Sequence, residues 1–243
     1  MKKRNLTIPI LSAGLALWFA MIACGLPDTT RVNELKSDTQ TVDLGSASTA
    51  KVQLEFPAGE LKVEGGASSL MDASFRYNVS DWQPEVKYSA NGAQGELLVS
   101  QPGSDRLPVG GGVMNEWEIQ LNDSVPMDLI IRTGAGNSQL NLGELDMTSL
   151  RVETGAGTTT VNLDGNWQHN VDVSIEGGVG ELKINLPADM GVRVEMDTAL
   201  VTVTANGLII ADNGYVNQAY DTAPYKLTLK LQAGVGSVIL VAP

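Results

Sequence analysis

One cysteine, Cys24, and one histidine, His169, in 243 residues leave no material for a disulfide framework, a four-cysteine zinc site or a paired-histidine metal site. Aromatic residues make up only 5% of the chain, and cations are outnumbered, with 16 Lys and Arg against 28 Asp and Glu. A chain of net charge −12 is repelled by phosphate backbones, so nucleic acid is excluded as a partner. What is abundant is aliphatic and small. The hydrophobic fraction is 43%, enough for a folded core, and there are 26 glycines.

Lys2, Lys3 and Arg4 precede an uncharged run from Leu6 to Ala23, the layout of a signal peptide. As a helix this run would fall just short of a hydrocarbon core of roughly 30 Å, so cleavage is favoured over a permanent span. Met21-Ile22-Ala23-Cys24 closes the run and resembles the lipobox of bacterial lipoproteins. That resemblance implies cleavage before Cys24 and a diacylglyceryl group on its thiol. Two acyl chains hold a protein stably on a bilayer, whereas one does so only marginally. The same modification consumes the only thiol and with it any redox role. Removing residues 1–23 takes three basic residues and no acid, so the balance moves from −12 to −15. The expectation is an exported protein, anchored to the membrane through Cys24 on its extracytoplasmic face.

Residues 24–50 are mostly polar and read as a flexible tether, with structure expected from Lys51 onward. Beyond it, Val, Leu and Ile alternate with polar residues in short runs bounded by Gly, Pro, Asn and Asp, the period of strands rather than helices. Repetition is the strongest signal. Gly134-Ala135-Gly136 followed by Leu140 and Leu142 recurs as Gly155-Ala156-Gly157 with Val161 and Leu163, and as Gly178-Val179-Gly180 with Ile184 and Leu186. Gly234-Val235-Gly236 closes the chain with Val238 and Leu240. A repeat of about 22 residues is too short for a βαβ crossover and cannot bury its apolar face alone, so copies must stack.

The predicted fold is therefore all-β, a stacked solenoid or rack of two-strand repeats over 116–243 with Leu140, Val161 and Ile184 in one column. Asn141, Asn162 and Asn185 fall at one register position and are expected to form a ladder. The eight glycines mark repeat turns where positive φ or close backbone approach excludes a Cβ. Residues 51–115 carry a weaker echo in Gly59-Glu60-Leu61-Lys62-Val63 and read as a less regular N-terminal β unit capping the rack, with one continuous solenoid as the alternative.

Those stretches, together with Phe75-Arg76-Tyr77-Asn78, Trp117 to Asn122 and Val125 to Leu129, resemble the bacterial toast-rack family of surface lipoproteins. That family is related to extracytoplasmic parts of proteins responding to cell-wall-active antibiotics, and its rungs are similar to those of β-solenoid adhesin heads. The resemblance implies a stacked β architecture outside the cytoplasm and carries over no catalytic residue.

Motifs that would carry further chemistry are mostly absent. Each Gly-x-Gly leads into a strand, which removes the phosphate-loop reading. Calcium in solenoid turns fails because Leu182 stands where the repeat needs a carboxylate. Glu144, Asp146, Glu153, Asp164, Asp172 and Glu176 are placed on outward faces, and His169 in a solvent-facing turn. Trp117 is assigned to the core and Trp167 to a turn where it could stack on a ligand. The resulting expectation is a non-enzymatic scaffold without cofactor or metal, engaged in interaction, adhesion or envelope-stress response through envelope proteins or polysaccharide. The alternatives are a carbohydrate-active β-helix enzyme and a structural assembly module joined by strand addition at the open end of the rack.

Overall fold

Strand period decides this architecture. In a strand, successive side chains point to opposite faces, so inserting one residue moves every later side chain to the other face. A computed structural model describes residues 29–103, 107–109 and 111–243. In it β8 (Met127–Asn141) buries Met127, Leu129 and Ile131, then crosses Gly134-Ala135-Gly136 and buries Ser138 and Leu140 instead. The inward parity flips from odd to even across the glycines. The strand bends there, and its two arms turn their apolar sides toward one core.

β2 (Thr49–Gly65), β9 (Met147–Asn162), β10 (Val171–Asn185) and β14 (Lys226–Val241) bend in the same way. They stack parallel and in register, with β11 (Gly191–Asn206) beyond them, in the order β2-β8-β9-β10-β14-β11. Val52, Leu129, Leu150, Val173, Leu229 and Val194 form one column in the first arms. Val63, Leu140, Val161, Ile184, Leu240 and Ala205 form another in the second arms. The expected column is present, and Asn141, Asn162 and Asn185 share a register position beside it. Each large aliphatic side chain buried this way contributes about 1.5–3 kcal/mol, and most of both columns is fully buried.

The glycines hold the corner. Gly59, Gly136, Gly157, Gly180 and Gly236 have φ between 126° and 138°. A Cβ on Gly157 would stand 1.9 Å from the carbonyl oxygen of Gly136 one rung below. The preceding glycine column is as tight, since a Cβ on Gly155 would meet the Gly134 carbonyl oxygen at 2.3 Å. These eight glycines were expected at turns. They lie inside continuous strands, and the reversals between rungs fall elsewhere, around Gly143 and Gly165.

Three further expectations are corrected. The stretch read as a tether contains β1 (Thr29–Val42), which pairs antiparallel with β3 (Met71–Val79) from Lys36 to Val42. Its stabilisation is backbone pairing at a sheet border rather than burial, so it carries no apolar alternation to read. Secondly, the rack begins inside the N-terminal unit. β2 is its first rung, with Gly59 in register with Gly136.

The rest of that unit caps β2 in two pieces. β5 (Gln94–Ser100) and β4 (Glu85–Asn91) extend its first arm, while β7 (Asn115–Leu121), β3 and β1 extend its second. β6 (Leu107–Val109) borders β1, and a 3-10 turn spans Ser80–Trp82.

Thirdly, the rungs do not stack in chain order. β14, the last in sequence, inserts between β10 and β11. The reason lies at the corner. β11 carries Ala199 at the first glycine position and Val201 in register with Gly236. A rung seated on β10 must approach the Gly180 carbonyl oxygen as Gly236 does, where a Cβ would be 1.9 Å away. β14 meets that approach with Gly236, whereas β11, with Val201 facing Gly236, takes the end of the stack.

Candidate functional site

The middle residue of each Gly-x-Gly points outward at the bend. Ala58, Ala135, Ala156, Val179, Val235 and Leu200 fall in one register row along the corner. The row grows more apolar toward β11, where Val179 is 58% exposed and Leu200 76%. Beside this crest, on the outer face of the first arms, runs a trough of about 580 Å³. Its floor is backbone and small residues, including Gly155, Gly178, Gly234 and Ala199. Because the first glycine column has no side chains, the floor is open where an ordinary strand would fill it.

One wall of the trough is a row of charge. Glu55, Arg132, Glu153, Glu176, Gln232 and Asp197 are register neighbours on successive rungs. Arg132 bridges Glu55 at 3.4 Å and Glu153 at 3.1 Å. Arg151, one column away, reaches Glu176 at 3.4 Å and Glu153 at 3.9 Å. Glu153 and Glu176, expected to face outward, do so, and both are engaged by arginines. These half-exposed pairs add little stability, each worth about 0–1 kcal/mol. Their use is to fix a row of polar groups along a rigid edge.

His169 lies in a turn with its side chain 39% exposed, as expected, and both of its ring nitrogens are engaged. Its Nε2 lies 2.8 Å from Asp146 Oδ1 and its Nδ1 2.9 Å from the Asn170 carbonyl oxygen. Two acceptors facing two ring nitrogens suit the imidazolium, the one form that donates from both. The Asn170 carbonyl raises the pKa of His169, partial burial opposes it, and Asp146 adds to the rise. Asp146 comes from the turn before β9 and His169 from the turn before β10, so the pair ties two successive turns together.

Trp167, considered as a stacking surface, is 6% exposed and donates its Nε1 hydrogen to the Leu163 carbonyl at 2.9 Å. It is a packing residue closing the rack beside His169. Trp117 is fully buried as expected, tilted against Phe56 and edge-on to Phe75. Cys24 and the rest of the lipobox, Met21, Ile22 and Ala23, lie outside the described residues. Among the described residues no cluster of three His, Cys, Asp or Glu side chains is arranged to hold a metal.

A bent-strand rack with a glycine corner defines a class of all-β domain. Residues 31–185 match the family model described as the N-terminal domain of toast_rack, DUF2154, and this chain belongs to that family. Its fold is also that of a candidate cell adhesion protein from Clostridium sporogenes, known from a crystal structure. The two are 32% identical with a TM-score of 0.83, over 86% of this chain and 100% of that one. Candidate adhesins from Bacteroides fragilis and Parabacteroides distasonis align at 10% and 12% identity, with TM-scores of 0.25 and 0.30. The first alignment covers 87% of this chain and 99% of that one, and the second 88% and 100%. No curated protein matches the sequence.

Proposed function

We propose that this protein is a non-enzymatic extracytoplasmic scaffold, held on the membrane by diacylated Cys24 and binding an extended envelope ligand, polysaccharide or protein, along the glycine corner. The observation that carries the reading is the pairing of trough and crest. A groove floored by backbone and walled by a regular row of Arg, Glu and Gln offers donors and acceptors at the spacing of the rungs, about 4.8 Å apart. The crest beside it offers aliphatic contact. Such a surface suits a ligand that is itself linear and repetitive. The Clostridium sporogenes relative, described as a candidate cell adhesion protein, supports the same reading.

The test is to titrate the protein with cell-wall polysaccharide and with surface-protein extracts, comparing wild type with Ala199→Leu, which lengthens an exposed side chain that already lines the trough. Saturable binding reduced at least tenfold by the variant supports the proposal. Turnover of any glycan, or binding indifferent to the substitution, overturns it. Anchoring is tested separately by metabolic labelling with a radioactive fatty acid, which Cys24→Ser should abolish while the protein shifts from the membrane to the soluble fraction.

A further inference from the structure

The two ends of the rack are finished differently. At the β2 end, both arms are covered by strands of the same chain. At the β11 end only the first arm is covered, by β13 (Gly214–Val216), which pairs antiparallel with Arg193–Glu195, and then by β12 (Ile209–Ala211). Among the described residues, the second arm, Leu200 to Asn206, pairs only with β14 and has its outer edge open. The end is therefore a step. One layer extends two strands beyond the other, about 10 Å at roughly 4.8 Å per strand, and the layers themselves are separated by about 10 Å.

The side chains around this step belong to an unfinished core. Val201, Val203 and Ala205 face inward but are only half-buried, where their neighbours Val238 and Leu240 are fully enclosed. On β12, Ile210 stands in register with Tyr215 and, through it, with the buried Val194. It therefore faces the core side, yet it is 80% exposed because no second layer lies across from it. Both edges are unguarded. From Thr198 to Ala211 there is not one charged side chain, although 18% of the chain is charged. Exposed edge strands ordinarily carry charge or proline to prevent pairing.

We propose that this end is a self-association surface, on which a second copy of the chain docks by a reciprocal half-lap joint. A two-fold axis along the strands, midway between the layers, carries the β13–β12 extension of each copy into the vacancy beside the second arm of the other. The step matches itself: two strands project and a two-strand space receives them. Under this operation β12 of one copy runs antiparallel to Leu200–Asn206 of its partner, and both layers become continuous sheets through the dimer. Ile210 then covers Tyr215 of the partner subunit and lies beside the second-arm residues Val203 and Ala205 of the partner subunit. Charge favours a copy of the same chain at this place. Two molecules of net charge −12 repel, and this long uncharged segment lets their sheets meet without opposing carboxylates. Such isologous contacts are closed, so association stops at two.

The test uses the full chain in its own membranes. Ala205→Cys combined with Ile210→Cys places thiols opposite each other only across the joint, since within one copy they lie on different layers and beyond the roughly 7 Å Cα limit for a disulfide. Mild oxidation should give a band of twice the chain mass on a non-reducing gel, with neither single variant nor wild type giving it. Adding Ile210→Glu to otherwise wild-type chain should convert a detergent-solubilised dimer to monomer by light scattering. Its melting temperature as a monomer should match that of diluted wild type, because the side chain is exposed there. A monomeric wild type under all conditions, a cross-linked band of some other mass, or cross-linking by the single variants overturns the joint. None of these readouts depends on ligand binding at the corner trough.

Discussion

Each corner glycine is constrained twice, by a left-handed φ and by a carbonyl oxygen where its Cβ would be. Gly157→Ala should therefore destabilise the fold by about 2–5 kcal/mol, combining a left-handed cost of about 1–2 with an overpacking cost of about 1–3. Urea unfolding measures it directly. An equivalent substitution at Gly45, whose φ is also positive but where no atom stands within 4 Å of a Cβ, should cost only the conformational part. His169 gives a second residue-level prediction. Its pKa is raised in the fold, so its contribution to stability is complete below the unfolded value of about 6.5 and is lost as pH rises through the folded value. As the single histidine, its ring protons can be followed by NMR without assignment. Asp146→Asn should lower the midpoint and shrink the stability difference between acidic and neutral pH; an unchanged midpoint would show that Asp146 does not act on the ring.

At the scale of the elements, the connection leading into β14 is fixed by one amide. Asn217 is 5% exposed, accepts from the Val192 backbone N–H at 2.9 Å and donates to the Met190 carbonyl at 2.7 Å. Asn217→Ala leaves both groups buried and unpaired, at about 1–3 kcal/mol each, so a loss of about 2–6 kcal/mol is expected in thermal or denaturant unfolding. Asn217→Asp keeps the acceptor alone and should fall between.

The bent rungs themselves were legible because Gly-x-Gly and the alternation around it are local patterns. Trp117 was legible for the same reason, alternating with Ile119 and Leu121. β1 was not, since a border strand held by backbone pairing has no apolar face to betray it. The trough was also hidden. It is made by the absence of side chains at Gly155, Gly178 and Gly234, and an absence becomes a groove only when the rungs are aligned.

For the molecule as a whole, the order of the rungs matters more than their number. In a rack stacked in chain order, deleting the last rung removes an end and leaves the rest folded. Here the last rung is interior. Ending the chain at Tyr225 should strip one face from both β10 and β11 and abolish cooperative unfolding, whereas a sequential stack would keep a melting transition of reduced size. Circular dichroism with a thermal ramp separates the two. That order was available in the sequence after all. Thr198-Ala199-Leu200-Val201 breaks the glycine rule, and β11, which carries it, stands at the end of the six rungs. The reading of repeats by position alone missed it because the pattern Gly234-Val235-Gly236 says what a rung is, not where it goes.

The insertion of β14 also imposes a timetable. A polypeptide made N-terminus first presents β11 before its neighbour exists, so a gap one strand wide must wait, apolar on one side and unpaired on both edges, until β14 is made. The protein is never nearly finished. A copy lacking β14 therefore carries two open edges, those of β10 and β11, where the whole protein has a closed seam.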